Sequence, residues 1–287
     1  MDSIERVGVV GCGLMGSGIA EVCARAGLDV VVVEADEEAM ERGRRRLQAS
    51  LDRAVKAGKI DQDARALAEE RLSFGIDMGQ MADRQLVVEA VVEAEDAKLE
   101  VFQALDKVVA DPQAILASNT SSIPIMKLAM ATQRPQSVVG IHFFNPVPVL
   151  RLVELVTCLL TGDDTAARAE SFATEVLGKR VIRAKDRAGF IVNALLIPYI
   201  LSAIRMLESG FATAEDIDAG MVEGCAHPMG PLALCDLIGL DTTKAVAESL
   251  YAEFKEPLYA PPPLLNRMCQ AGLLGRKAGR GFYSYAC

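Results

Sequence analysis

The stretch V-V-G-C-G-L-M-G, residues 9–16, decides the fold. Its glycines at Gly11, Gly13 and Gly16 have the spacing G-x-G-x-x-G, which means little in isolation. Here it ends an apolar run, R-V-G-V-V (6–10), and opens Met15–Ala26, a segment of helical periodicity stopped by Gly27. A strand, a glycine turn and a helix in that order make a corner that grips phosphate. Gly11 permits the tight turn, Gly13 lets the backbone approach a pyrophosphate, and Gly16 lets helix and strand pack closely. The helix N-terminus then faces the anion. The whole loop, with Cys12, Leu14 and Met15 between and beside its glycines, is expected to hold a dinucleotide.

Reading outward, the next strand, V-V-V-V-E (30–34), ends on Glu34, about 20 residues beyond the loop. A carboxylate there accepts hydrogen bonds from both ribose hydroxyls and repels an added phosphate. NAD is therefore favoured over NADP, although Arg42 and Arg44–Arg46 downstream can soften the preference.

The alternation continues. Glu37–Lys56 and Ala64–Arg71 read as helices, then L-S-F-G-I (72–76) and Q-L-V-V-E-A (85–90) as strands. A helix near Lys98–Val109 leads to A-I-L-A-S (114–118), and S-V-V-G-I (137–141) follows Pro135. Strands separated by helices imply parallel pairing through right-handed crossovers, hence an α/β, Rossmann-type doubly wound, mostly parallel sheet. After Asp186 the character changes, with candidate helices at Ile191–Ser209, Ala214–Glu223, Pro231–Ile238, Asp241–Phe254 and Leu264–Ala271. The expectation is a dinucleotide-binding domain over 1–186 and a smaller all-helical domain over 187–287.

Bulk properties narrow the classes. A chain of 287 residues suits two domains at ~100–200 residues each. A net charge of −9 argues against a nucleic-acid binder, which needs a basic face for phosphates. The seven cysteines, at 12, 23, 158, 225, 235, 269 and 287, are odd in number and contain no C-x-x-C, as expected for free thiols in a reducing cytosol. The start, M-D-S-I-E-R, is not the basic flank of a signal peptide. The longest apolar stretch, Gly189–Ile204, contains Asn193 and Pro198 and falls short of the ~20 residues of a membrane span, so it reads as a buried helix. A cytoplasmic protein without a membrane partner is expected.

The chemistry is expected in G-I-H-F-F-N-P-V-P-V-L-R-L-V-E-L (140–155). Ile141 and Phe143 place His142 at the end of a strand, Pro146 and Pro148 force a turn, and L-V-E-L-V (152–156) returns. With the turn centred on Val147–Pro148, His142 and Glu154 face one another. A carboxylate on one ring nitrogen fixes the tautomer and leaves the other nitrogen to take a proton, as removal of a hydroxyl proton requires. The bland alternative is a satisfied core histidine; the glycine loop and the matching carboxylate favour catalysis. S-N-T-S-S (118–122) follows a strand that ends at the same sheet edge, where its hydroxyls and amide can hold a substrate oxygen. Ser118, Ser121 and Ser122 are equally placed for that role on spacing alone. His227, beside a proline in the helical half, reads as structural. Two isolated histidines and scattered cysteines lack metal-ligand spacing, so no metal is expected.

Seven blocks then show a resemblance over essentially the whole chain: G-C-G-L-M-G-S-G-I-A (11–20), V-V-E-A-V-V-E (87–93), A-S-N-T-S-S-I (117–123), H-F-F-N-P-V-P-V (142–149), G-F-I-V-N (189–193), H-P-M-G-P-L-A-L-C-D-L-I-G-L-D (227–241) and G-R-K-A-G-R-G-F-Y (275–283). The chain resembles the 3-hydroxyacyl-CoA dehydrogenase family, most of all its stand-alone bacterial members acting on 3-hydroxybutyryl-CoA. The resemblance implies His142 as the base, Glu154 as its partner, Ser121 against substrate and cofactor, and Asn193 completing the site. It also implies Glu93, Lys98, Asn145 and Lys277 as further cofactor contacts, and Ser50 and Lys56 as coenzyme A contacts. The basic cluster Arg42–Lys59 in an acidic protein suits coenzyme A phosphates, or equally a solvated helix face paired with Glu38 and Glu41. A homodimer through the helical domain is implied as well. The chain departs from the family pattern at Arg187-Ala188, where a proline is usual, and at Ala194, where arginine is common. Two other readings stay open: a related dehydrogenase of a free β-hydroxy acid, and an NAD-binding protein without turnover.

Overall fold

The computed structural model describes residues 3–285. Met1 and Asp2, part of the N-terminal reading above, and Cys287 lie outside the described residues. The chain divides between Arg187 and Ala188 into two compact units.

The first unit is built on β1 (Arg6–Val10), α1 (Leu14–Arg25), β2 (Asp29–Val33), α2 (Glu37–Lys56), α3 (Gln62–Glu70), β3 (Leu72–Gly75), β4 (Leu86–Glu89), α4 (Glu95–Val108), β5 (Ile115–Ser118), α5 (Ile125–Met130), β6 (Val138–Phe143), β7 (Leu152–Thr157), α6 (Asp163–Ser171) and β8 (Arg180–Lys185). Among the described residues, eight strands form one sheet in the order β3-β2-β1-β4-β5-β6-β7-β8. Neighbours from β3 to β6 pair in parallel, β6 and β7 are antiparallel, and β8 runs parallel to β7. The order reverses between β1 and β4, the point where such sheets open a crevice at their carboxyl ends. Central strands covered on both faces are expected to read as continuous apolar runs, and Val7–Val10, Val30–Val33 and Leu86–Val88 are all buried.

Helix starts follow local chemistry. At α2, the Asp36 carboxylate accepts from the Ala39 N–H at 2.7 Å, Glu37 and Glu38 occupy the first turn, and Arg53 and Lys56 the last. Both ends thus complement the helix dipole. Asp61 caps α3 in the same way at 2.8 Å. By contrast α1 starts at Gly13 without any side-chain cap, which leaves its first N–H groups open.

The sequence reading lacks α5, α6 and β8. The last is R-V-I-R-A-K, whose charges interrupt any apolar alternation. It closes the sheet as an edge strand, and exposed charges are what such an edge needs against pairing with another chain.

The second unit holds α7 (Val192–Glu208), α8 (Ala214–Cys225), α9 (Pro231–Ile238), α10 (Leu240–Phe254) and α11 (Pro263–Gln270). Its core includes Ile200, Leu201 and Ile204 of α7, Leu232 of α9 and Leu250 of α10. The apolar stretch before Ile204 is thus a packed helix, and among the described residues no helix is long and apolar enough to cross a membrane. Asp218 and Asp236 pin this unit internally. The Asp218 carboxylate accepts from the N–H groups of Leu232 and Ala233, and Asp236 from those of Phe282 and Tyr283.

Candidate active site

The glycine loop lies at the carboxyl end of β1. Gly11 has φ +89°, and a Cβ there would stand 2.7 Å from the Ala90 carbonyl oxygen. A Cβ at Gly16 would stand 1.9 Å from the Gly11 oxygen, so helix and turn touch only because both are glycines. A Cβ at Gly13 meets nothing within 4 Å. The loop is therefore tight on its protein side and open beyond Gly13, over the uncapped start of α1. That opening and those free N–H groups fit a pyrophosphate.

A crevice of about 540 Å³ continues from Gly11 and Gly13 to Glu34, between apolar walls that include Ile76, Val92 and Val101. Glu34 is fixed at its rim. One oxygen accepts the Cys12 N–H at 2.5 Å and the other the Ala35 N–H at 3.1 Å. Each retains lone-pair capacity for a ribose hydroxyl. The Cys12 side chain does not face the crevice; it is buried against Gly43 of α2, where a Cβ would approach its sulfur to 2.6 Å. Burial and the nearby Glu34 push the Cys12 thiol up to about 12. Of the arginines expected to soften the cofactor preference, Arg45 is exposed and the other three have partners. Arg42 pairs with Glu38, Arg44 lies over the Phe74 ring, and Arg46 donates to the Cys12 carbonyl at 3.0 Å.

The β6–β7 hairpin sets the second half of the site. Its register pairs His142 with Glu154. Both are buried, at 4% and 0% exposure, and Nδ1 lies 2.7 Å from Glu154 Oε2. A carboxylate only accepts, so Nδ1 carries the hydrogen and Nε2 is the ring's acceptor. Ser121 Oγ stands 3.2 Å from Nε2. The Phe144 ring packs on the imidazole with centroids 4.6 Å apart. Of the three candidate serines, Ser118 is turned inward to Glu89 at 2.6 Å and Ser122 donates to Glu93 at 3.0 Å, which leaves Ser121 on the imidazole.

Beneath the serine loop lies a polar network that joins the buried Lys98 and Glu89 to the partly exposed Glu93. Glu93 Oε1 accepts from Thr120 Oγ1 at 2.6 Å, from the Ser121 and Ser122 N–H groups at 2.8 and 3.1 Å, and from Ser122 Oγ. Burial alone would raise the Glu93 carboxyl, but the Lys98 ammonium and these donors outweigh it and hold it below its ordinary value of 4.5. Lys98 is 1% exposed, with Nζ 2.6 Å from Glu89 and 3.3 Å from Glu93. It therefore lies under the loop rather than on the crevice wall. Asn145 is exposed at the start of the turn after β6. Ser50 and Lys56 lie on α2, half-buried and exposed respectively, and Arg45, Arg53 and Lys59 nearby are exposed. In the second unit, Asn193 is in the first turn of α7, and Lys277 pairs with Asp241 at 2.6 Å.

Sequence reasoning missed Glu89; the amide it expected on a substrate oxygen is engaged within the protein, where Asn119 Oδ1 accepts the Phe143 N–H at 2.8 Å and ties the serine loop to β6. A signal for Glu89 exists in V-V-E-A-V-V-E, where a carboxylate ends an otherwise buried strand.

A dinucleotide crevice at the sheet's switch point, with a histidine–glutamate pair at the same edge, defines a nicotinamide-dependent dehydrogenase of the Rossmann class. Comparison with known proteins narrows this. Residues 6–187 match the NAD binding domain of 3-hydroxyacyl-CoA dehydrogenase, and residues 189–285 match the C-terminal domain of the same family. The chain is 62% identical over 284 residues to a 3-hydroxybutyryl-CoA dehydrogenase of Mycobacterium tuberculosis, covering 99% of each chain. The crystal structure of M. tuberculosis FadB2 superposes with a TM-score of 0.98 at 62% identity, over 99% of this chain and 100% of that one. (S)-3-hydroxybutyryl-CoA dehydrogenase PaaH1 from Ralstonia eutropha superposes at 0.93 with 46% identity, over 99% and 100%. The chain belongs to the 3-hydroxyacyl-CoA dehydrogenase family, and its first unit is that family's NAD-binding domain.

Proposed function

We propose that this protein oxidises (S)-3-hydroxyacyl-CoA to 3-oxoacyl-CoA and catalyses the reverse, on short chains such as 3-hydroxybutyryl-CoA and acetoacetyl-CoA. The observation that carries this reading is the His142–Glu154 pair with Ser121 on the other ring nitrogen, Nε2. His142 Nε2 takes the proton of the substrate 3-hydroxyl, and Glu154, bound to Nδ1–H, steadies the positive charge that results. Ser121 Oγ, within reach of Nε2, turns to the substrate oxygen and holds it there. NAD, when bound, supplies the hydride acceptor. In reverse, protonated His142 returns the proton to the carbonyl oxygen. Asn193 is assigned to the substrate's thioester end, and Ser50 and Lys56 to coenzyme A. Glu93, Lys98, Asn145 and Lys277 are assigned to the cofactor's side of the site, with Lys98 acting from beneath the loop. We assign the protein to the cytosol as a homodimer joined through its helical unit, where Leu195 and Phe211 are exposed at 72% and 79%.

The test follows the nicotinamide absorbance with acetoacetyl-CoA, with NADH and NADPH in parallel. Rapid oxidation of NADH is expected. His142→Ala should lower turnover by roughly 10²–10⁴ with the fold intact, the range for an acid–base group. Near wild-type turnover in that variant overturns the mechanism. Turnover of free acetoacetate without coenzyme A favours the β-hydroxy acid reading. Tight NADH binding without any turnover favours a binding protein.

A further inference from the structure

The geometry points to Glu89 as a positioning residue that sets the hydrogen bond between Ser121 and His142 from two layers away. Glu89 ends β4 at 0% exposure and is not among the residues lining the crevice. A buried carboxylate is costly unless fully paired, and this one makes three short contacts. Oε1 accepts from Lys98 Nζ at 2.6 Å and from the Val91 N–H at 2.7 Å, while Oε2 accepts from Ser118 Oγ at 2.6 Å. Each contact leads to the serine loop. Ser118 Oγ accepts the Thr120 N–H at 3.1 Å. Lys98 reaches on to Glu93, which holds the Ser121 N–H at 2.8 Å. Val91 begins the turn that carries Glu93. Glu89 therefore grips the loop's first residue directly and its middle through Lys98 and Glu93.

Glu93 alone does not account for this arrangement. It is partly exposed, and two carboxylates against one ammonium leave an excess negative charge beneath Ser121. The loop's start is held by the Asn119 N–H on the Glu89 carbonyl at 2.9 Å and by Asn119 Oδ1 on the Phe143 N–H; the Glu89 carboxylate adds the orientation of Ser118 Oγ and, through it, of the Thr120 N–H. The loop's reach to His142 is then set by β4 and β5, whose register pairs Glu89 with Ser118. Displacement of a catalytic contact by about 1 Å can cost on the order of 100-fold in rate.

This inference rests on the proposed dehydrogenase reading, and its test separates the two. The chain has only two histidines, so ¹⁵N-histidine labelling gives two imidazoles, assigned by His227→Gln. In Glu89→Gln and in Ser118→Ala, the His142 Nε2 resonance should move while that of His227 stays. kcat per NADH-binding site should fall by about 10- to 100-fold, with KM for acetoacetyl-CoA little changed, and Glu89→Asp should recover part of the loss. Should Glu89→Gln not fold, Ser118→Ala, which leaves every charge in place, decides the matter. An unmoved His142 resonance in the folded variants, or wild-type kcat per site, overturns the inference whether or not the reading holds. A wild-type protein without turnover whose His142 resonance still moves in the variants overturns the reading and leaves the positioning role standing.

Discussion

Three glycines in one loop do three different jobs, and alanine should tell two of them apart. At Gly13 a Cβ points into open space and φ is −66°, so Gly13→Ala should keep the wild-type melting temperature. It should still lose at least tenfold in NAD affinity, about 1.4 kcal/mol by calorimetry, because the methyl occupies the pyrophosphate's approach. At Gly16 the same methyl meets the Gly11 carbonyl, so Gly16→Ala should cost about 1–3 kcal/mol of stability, read in denaturant. Glu93 gives a pH prediction. Its carboxyl is held below 4.5 in the folded state, so its contribution to stability is full above that value and is lost as pH falls through the lower folded value. The melting-temperature difference between wild type and Glu93→Gln should therefore be largest near neutrality and shrink in acid. A difference that grows in acid contradicts this sign. At this scale the sequence was legible for Gly11, Glu34 and His142, whose partners are local or set by one turn. It was silent on which of three serines reaches the imidazole, because that depends on two carboxylates, Glu89 at the end of β4 and Glu93 in the loop after it.

At the scale of elements, the β6–β7 hairpin carries the argument. Its turn is pinned from outside: the Lys179 ammonium donates to the carbonyls of Val147 at 2.5 Å and Leu150 at 2.7 Å. Side chains alternate faces along a strand, so a shift of one residue moves Glu154 to the far side. Deleting Val149 should thus abolish the dyad and cost turnover on the scale of His142→Ala, roughly 10²–10⁴, while circular dichroism stays near wild type. Retained activity would show that the register is not set by the turn. Two prolines and the spacing between His142 and Glu154 made this pairing readable in advance. α6 and β8 were not readable: their short, charge-interrupted patterns acquire meaning only when β7 is already present as a partner.

For the whole molecule, two units with separate cores match the two domains of one family. Light scattering should give a mass twice the chain's 30.7 kDa, and a single-chain mass would remove the proposed dimer. The change from alternating strands and helices to helices alone was plain near Asp186, since it is a change of period, which local sequence records well. The role proposed for Asn193 was legible only through the resemblance, because Asn193 has no neighbour in sequence that marks it. One consequence follows from where the dyad is built. His142 and Glu154 belong to β6 and β7, each paired with a strand on both sides. Inner strands open only when the whole domain opens, whereas loops come and go far more often. The pair proposed to handle the proton is thus ready before any ligand arrives and persists for as long as the molecule is folded, so in an ageing or heated sample it disappears molecule by molecule rather than by degrees within each one.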